Sequence, residues 1–470
     1  MEEQEIEATL RRVAAEERGR VSMPGDPRYA SATAIWPKPV GALPRVIVHC
    51  RTAKDVQMAI RTAGECQLPL SVRGGGHDWA GRALCEGLVI DLREMNGVAV
   101  SSDHRIARVL GGARASDVAT VTDPLGLVPV TGTVGAVGMA GLTLGGGYGP
   151  LIGRFGLALD NLVAAEVVLA DGRIVTASED EESELFWALR GGGGNFGVVT
   201  AIHLRVHDLP SVRTGVLVYP FSEAPTIIAR CAELSASASD ALTVQVVLAC
   251  GPDGAPIVLI VPTWCGSPEE GKARLAPFRD LGTLLTGGLE SMRYGRSLTL
   301  FDAFLTQGQR TFMQTCSIPA LDDASIEAIV ESMKAAASPG CAIITHEFRG
   351  AASRVPAEAT AFGHRDNHLV LEFLASFIDR SDPLEEERHR SWGREALRKL
   401  EAIALPGAYP NFLVSADADR VKRSYGPNAA RLLRIKRRYD PDNVFRSAIP
   451  LPDGVPGVDV PEPAQGSNHG

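Results

Sequence analysis

Arg73-Gly74-Gly75-Gly76-His77 follows a short apolar run carrying Leu68, Leu70 and Val72, and leads into Asp78-Trp79-Ala80-Gly81. A strand thus opens into a loop able to wrap a diphosphate, because three successive glycines let backbone N–H groups converge on phosphate oxygens with no Cβ in the way. The histidine that closes the loop stands where it can meet whatever carries those phosphates. The loop opens no helix and soon reaches a second strand, Leu88-Val89-Ile90-Asp91-Leu92. A dinucleotide-binding G-x-G-x-x-G turn is therefore absent from it, and no G-x-x-x-x-G-K-[ST] phosphate loop occurs in the chain. Alone the loop is a weak signal, since 49 of the 470 residues are glycine.

Around this loop the chain reads as a soluble, multi-domain protein. At roughly 100–200 residues per domain, 470 residues make two to three domains. Hydrophobic residues at 45% and charged residues at 22% are ordinary globular values, which exclude disorder, collagen-like sequence and a membrane class. A net charge of −9 with no domain-sized basic stretch argues against nucleic-acid or anionic-membrane binding. The basic cluster Arg431, Arg434, Lys436, Arg437, Arg438 reads as the solvated face of a late helix. The eight cysteines show neither CxxC nor metal-ligand spacing, so reduced thiols and no metal are expected. The acidic start Met1-Glu2-Glu3-Gln4-Glu5 has no apolar signal core, and the expected location is cytoplasmic.

From about residue 45 to 205, short β-branched runs alternate with helical periodicity, as in an α/β or α+β nucleotide-binding unit. Val46-Ile47-Val48 is a strand, and Thr52 to Cys66 a helix with a capping box at Thr52 and Asp55. Ala164 to Ala170, the turn Asp171-Gly172 and Ile174 to Thr176 form a hairpin. From about 206 to 415 the glycine clusters vanish, and strands (Gly215 to Tyr219, Leu242 to Leu248, Ile257 to Val261, Ile343 to Phe348, Leu369 to Phe373) suggest a second, mostly antiparallel domain. Residues 385–403 suit an amphipathic surface helix, and the proline-rich end beyond 450 a disordered tail.

Three further segments strengthen the first. Thr131-Gly132-Thr133-Val134-Gly135-Ala136-Val137-Gly138-Met139-Ala140-Gly141 runs into Leu144-Gly145-Gly146-Gly147-Tyr148-Gly149-Pro150 and then Asp160-Asn161. Next comes Arg190-Gly191-Gly192-Gly193-Gly194-Asn195-Phe196-Gly197-Val198-Val199, and near the end Leu432 to Phe445, with Tyr439-Asp440-Pro441 at its centre. In order and spacing these four resemble the flavin-contacting segments of the berberine-bridge-enzyme-like branch of the vanillyl-alcohol oxidase and p-cresol methylhydroxylase superfamily. The resemblance spans about residues 40 to 450. It implies an α+β, two-domain, PCMH-type FAD-binding fold whose second, antiparallel-sheet substrate domain is covered by helices.

The divisions implied are an N-terminal helical segment (1–40), the FAD-binding domain (41–208), the substrate domain (209–415), a C-terminal return to the FAD domain (416–450) and the tail (451–470). In the family the histidine matching His77 bonds covalently to the 8α-methyl carbon of FAD. The resemblance also implies flavin contacts at Arg73, Gly74, Gly75, Gly76 and Gly81 in the first segment. In the second they fall at Thr131, Gly132, Val137, Gly138, Gly141, Leu144, Gly145, Gly146, Gly147, Tyr148, Asp160 and Asn161. Asn195, Phe196, Gly197 and Val199 supply the third, with Val199 toward the adenine end, and Asn411 completes the set.

The chain departs from the family pattern at three places. Where many members carry a second flavin bond through a cysteine, Val134 stands, so attachment through His77 alone is expected; Cys85 reads as structural. Where members often end a Tyr-x-Asn-Tyr motif with a tyrosine base, this chain reads Tyr409-Pro410-Asn411-Phe412, and Phe412 cannot accept a proton. The base must then be Glu372, Tyr409, Tyr148, or His346 or Glu347. Glu372 is preferred, because the run Leu369-Val370-Leu371-Glu372-Phe373-Leu374 would desolvate its carboxylate; a strand-edge, solvent-facing Glu372 is the bland alternative. For His364 and Arg365 the surface is the simpler expectation. Finally, Phe445-Arg446-Ser447-Ala448-Ile449-Pro450 is shorter than in relatives, so one flavin contact is expected to be missing.

The expected activity is two-electron oxidation of a small organic substrate at an alcohol- or amine-bearing carbon. Val137 is small enough to leave room for dioxygen as acceptor, which favours an oxidase. The rivals are a flavin dehydrogenase, a biosynthetic oxidative cyclase, a degenerate flavoprotein that binds without turnover, and a nicotinamide dehydrogenase. The substrate and the oligomeric state are beyond the sequence.

Overall fold

The computed structural model describes residues 3–17, 19–38, 41, 43–304, 307–377, 382–413 and 418–452. The expected tail falls outside them from residue 453 onward.

The first sheet contains β1 (Val21–Ser22), β2 (Val46–His49), β3 (Leu70–Arg73) and β4 (Leu88–Asp91), in the order β1-β2-β4-β3. β2, β4 and β3 run parallel, and β1 is added antiparallel at the edge. The helix Ala53–Glu65 crosses between β2 and β3 and begins where the capping box requires. The Thr52 hydroxyl accepts from the Asp55 N–H at 3.3 Å, and the Asp55 carboxylate accepts from the Thr52 N–H at 2.9 Å. Its buried stripe of Val56, Ala59, Ile60 and Ala63 lies on the sheet.

A second, antiparallel sheet takes β5 (Val98–Val100), β6 (Ile106–Leu110), β7 (Leu127–Pro129), β8 (Leu162–Val168), β9 (Ile174–Ser178) and the long β10 (Val198–Asp208). β8 and β9 form the expected hairpin, with Gly172 at φ +83° in its turn.

The third sheet has nine antiparallel strands: β11 (Val212–Thr214), β12 (Leu217–Pro220), β13 (Leu242–Cys250), β14 (Pro256–Trp264), β15 (Thr286–Gly287), β16 (Glu290–Met292), β17 (Arg310–Ile318), β18 (Cys341–Phe348) and β19 (His368–Phe377). Its central order is β14-β13-β18-β19-β17. Strand side chains alternate between faces, so this sheet has two distinct surfaces. Leu248, Ile343, Leu371 and Phe373 point to one side, where the helices Ala224–Ala236, Asp323–Lys334 and Pro383–Leu400 cover them with Ile227, Ile329, Trp392 and Leu400. Each such side chain fully buried stabilises by about 1.5–3 kcal/mol, which holds the sheet as a rigid floor. Val247, Leu259, Ile344 and Glu372 take the opposite face, toward the glycine-rich loops.

Two expectations of surface position are overturned. Arg365 is 5% exposed and pairs with Asp160 through two 2.9 Å contacts, tying the segment approaching β19 to the glycine-rich half; His364 lies beside Gly407 and is half-buried. Lys436, in the helix Ala429–Tyr439, is not on a solvated face. Its ammonium is 2.5 Å from the Asp440 carboxylate and donates to the Asn195 and Phe445 carbonyls, so it pins the C-terminal return; Arg434, Arg437 and Arg438 are the exposed members of the cluster. The eight cysteines are free thiols, six of them buried, with Cys85 and Cys250 partly so. Among the described residues no helix is long and apolar enough to cross a membrane.

Candidate active site

One continuous cavity of about 980 Å3 runs between the glycine-rich loops and the bare face of the third sheet. Its first wall is built by backbone. Gly75 and Gly138 cross so closely that a Cβ on Gly75 would stand 2.5 Å from the Gly138 Cα, and one on Gly138 would stand 2.6 Å from the Gly75 nitrogen. Only two glycines can pass at that distance, and the crossing brings the loops 74–77 and 132–141 side by side along the cavity. Gly141 faces open space, so main chain is bared there for a flat ligand.

His77 closes the first loop inside this wall. Its ring stacks on Trp36 with centroids 4.4 Å apart and meets the edge of Trp79 at 5.3 Å. The Trp36 N–H donates to the Gly76 carbonyl at 2.8 Å, so the N-terminal segment is clipped to the loop it covers. Burial, with the Arg114 charge nearby, pulls the imidazole down to about 4, and its buried Nε2 has no hydrogen-bond partner among the described residues. His77 is therefore a neutral imidazole with a free ring nitrogen in the cavity, the state a nucleophile requires.

The sequence-predicted contacts divide into three groups. Gly74, Gly75, Gly76, His77, Gly132, Val137, Gly138, Gly141, Leu144, Tyr148, Gly197, Val199 and Asn411 all line the cavity. A second group serves the wall from behind. Arg73 turns from the cavity and donates to the carbonyls of Ser31, Ala32 and Ala34, and burial together with Arg93 lowers its guanidinium to about 10. Gly145 and Gly146 make room for another side chain, since a Cβ on the first would meet the Asn411 amide at 2.1 Å and one on the second the Tyr409 ring at 2.5 Å. The Gly147 N–H donates to the Tyr409 hydroxyl at 2.8 Å. The third group is occupied elsewhere: Thr131 with the Tyr294 hydroxyl, Asp160 with Arg365, Asn161 with the Phe155 and Leu157 carbonyls and His207, and Asn195 with the Gly192 and Ile449 carbonyls. Phe196 is core, and Gly81 does not line the cavity.

The sheet supplies the opposite wall. Its middle is apolar, with Val247, Leu259, Ile344, Val370 and Leu374, and Glu372 stands among them at 5% exposure. Glu372 is thus neither at a strand edge nor in solvent. The Nε2 of His346 lies 2.8 Å from its Oε1, and the Gln245 amide nitrogen is 3.4 Å from the His346 Nδ1. Glu347 points to the other face, where it holds the Val244 N–H at 2.8 Å and the Ser235 hydroxyl.

The two tyrosine candidates are bound into the frame. The Tyr409 hydroxyl accepts from Gly147 and, at 2.8 Å, from the Asn411 amide, and burial pushes it up to about 12. The Asp366 carbonyl, 2.7 Å from the His368 Nδ1, can only accept, so Nδ1 carries the imidazole proton. Nε2 then accepts from the Tyr148 hydroxyl at 2.6 Å. Burial pulls His368 down to about 4 and pushes the Tyr148 phenol well above its ordinary range. Neither phenol is placed to take a proton near neutral pH.

Trp36 and Gln245 belong to no motif and escape a sequence reading. A polar residue inside Val244-Gln245-Val246-Val247 was the one available signal for the latter.

Residues 44–178 match the family described as FAD binding domain, and residues 408–452 the family described as berberine and berberine like. The chain is 30% identical to the FAD-linked oxidoreductase YvdP of Bacillus subtilis (strain 168), over 93% of this chain and 98% of that protein. It is 29% identical to (R)-6-hydroxynicotine oxidase of Paenarthrobacter nicotinovorans, over 91% of this chain and 95% of the relative. The crystal structure of 6-hydroxy-D-nicotine oxidase from Arthrobacter nicotinovorans superposes with a TM-score of 0.84 at 28% identity, covering 92% and 98% of the two chains.

Proposed function

The chain belongs to the berberine-bridge-enzyme-like FAD-linked oxidoreductases, and from that premise we propose that it is an oxidase of a small organic substrate, with FAD held covalently through His77 alone and Glu372 as the base. One observation carries the reading: a single cavity has His77 in its glycine wall and Glu372 in its sheet wall.

The residues present suit FAD. The wall of bare main chain fits a flat ring system with a phosphate tail, and the free ring nitrogen of His77 is available for a bond to carbon. No cysteine lies in the Thr131 to Gly141 stretch, and Val134 packs toward the Val247, Leu259 and Phe301 cluster, which supports a single attachment. When bound, FAD supplies the two-electron acceptor for a hydride from the substrate carbon and passes the electrons to dioxygen.

The protein's own part is placement and proton handling. The sheet floor holds the substrate against the glycine wall and excludes water, and Glu372 takes the proton from the oxygen or nitrogen of the reacting group. The His346 imidazole stands beside the Glu372 carboxyl, with its Nε2 2.8 Å from Oε1. Val137 lines the cavity, and its small side chain supports dioxygen as the acceptor.

The test is acid precipitation of the purified protein. Yellow flavin should stay with the wild-type pellet and leave with the supernatant in His77→Ala. Flavin retained by both would point to another linkage, and a colourless wild type would remove the flavin reading.

A further inference from the structure

We propose that the substrate is an apolar amine, its nitrogen received by the Glu372 carboxylate, and that acids and oligosaccharides are excluded; this rests on the flavoenzyme reading above.

The charge pattern of the cavity carries the inference. Among the described residues, its fully charged lining side chains are Asp78, Arg82 and Glu372. The first two belong to the loop after His77 and are engaged there. Asp78 accepts from the N–H groups of Ala80 and Ala83, and Arg82 donates to the Asn411 and Leu413 carbonyls, both at 3.0 Å. On the sheet floor Glu372 is alone, and no arginine or lysine accompanies it among the described lining residues. A buried carboxylate with no arginine or lysine beside it attracts a positive group and repels a carboxylate or phosphate, more strongly than in water because the surroundings are apolar.

The partner of Glu372 leaves it receptive. The Nε2 of His346 is buried 2.8 Å from Oε1 yet makes no hydrogen bond of good geometry with any described residue, so the pair has bonding capacity to spare for an N–H donor from the cavity.

The rest of the floor defines the body of the ligand. Val247, Leu259, Ile344, Val370, Leu374 and Phe301 match a hydrocarbon or aromatic skeleton. A sugar chain needs a partner for nearly every hydroxyl, and each one left unpaired in such a site costs about 1–3 kcal/mol. Among the described lining residues the sheet offers few polar groups, Gln245, Thr286, Thr311, His346 and Ser376, and the Thr311 and Ser376 hydroxyls are turned to each other at 3.2 Å.

The test uses the flavin-loaded protein and reads its visible spectrum during anaerobic titration with N-methylbenzylamine, benzyl methyl ether, benzoate and xylobiose. The amine should perturb or bleach the spectrum at a concentration at least about ten-fold below the ether, the difference expected of one charge-assisted hydrogen bond. Benzoate and xylobiose should be weaker still. In Glu372→Gln the amine should lose its advantage over the ether. Equal response to amine and ether, no response to the amine, or a preference for benzoate or xylobiose would overturn the proposal. The wild-type comparison decides this whether or not the variant folds. Loss of the flavin reading would appear separately, as a colourless protein before any titration.

Discussion

Gly75 and Gly138 pass backbone against backbone, with room for a Cβ on neither. This crossing joins the loop that ends in His77 to the loop that carries Val137 and Gly141, so the two halves of the glycine wall are one construction. Gly75→Ala or Gly138→Ala should force the loops apart and cost about 1–3 kcal/mol, as overpacking does. Thermal melting and bound-flavin content should fall together in both. Gly141→Ala meets no described protein atom within 4 Å and should melt like wild type while changing the flavin spectrum; an unaltered flavin content in Gly75→Ala would refute the account.

Trp36 reaches His77 by stacking at 4.4 Å, and the clip from its N–H to the Gly76 carbonyl survives any change of side chain. Trp36→Ala should therefore still bind FAD but attach it slowly, because the imidazole loses its fixed orientation. The fraction of flavin surviving acid precipitation, followed over hours after mixing with FAD, should drop in Trp36→Ala and recover in Trp36→Phe.

Replacing Glu372 by Gln keeps the shape of the cavity and removes the proposed base. Turnover should fall by about 10²–10⁴-fold, the usual contribution of a general base. Tyr409→Phe is the contrasting variant. It deletes a hydroxyl that accepts from Gly147 and Asn411, so it should lower stability by about 1–3 kcal/mol and leave the pH profile of turnover in place. A shifted acid limb in Tyr409→Phe would return that phenol to the catalytic candidates.

The Asp160–Arg365 pair is buried on both sides, at 9% and 5% side-chain exposure. Asp160→Asn leaves a guanidinium uncompensated and should destabilise by about 3–5 kcal/mol. Because the pair spans the glycine-rich half and the segment approaching β19, chemical denaturation should show an earlier transition in this variant.

His207 and His368 are both held near 4 by burial, against an ordinary value of 6.5. Their folded values are depressed, so between 6.5 and 4 the unfolded chain binds protons that the folded chain refuses, and stability falls as pH falls through that window. The melting temperature should decline from about pH 6.5 downward, with a gentler decline in His207→Gln. A flat melting temperature between pH 6.5 and pH 5 would count against it.

What the sequence by itself determined is local. The glycine runs, the capping box at Thr52, the Asp171-Gly172 hairpin and the apolar alternation of the later strands announce their geometry through steric and hydrogen-bond rules that act over a few residues. The glycine loop around His77 and the buried carboxylate in the run around Glu372 are legible for the same reason. Tertiary structure alone decided which glycines face the cavity and which receive Tyr409 and Asn411, because a bare backbone serves a ligand or a neighbour equally well until the chain has folded. It also placed Trp36 over His77, set Gln245 and His346 beside Glu372, and took Asp160, Lys436 and Arg365 into buried bonds. Long-range partners of this kind are chosen by packing between segments far apart in the chain, and no local pattern of residues encodes them.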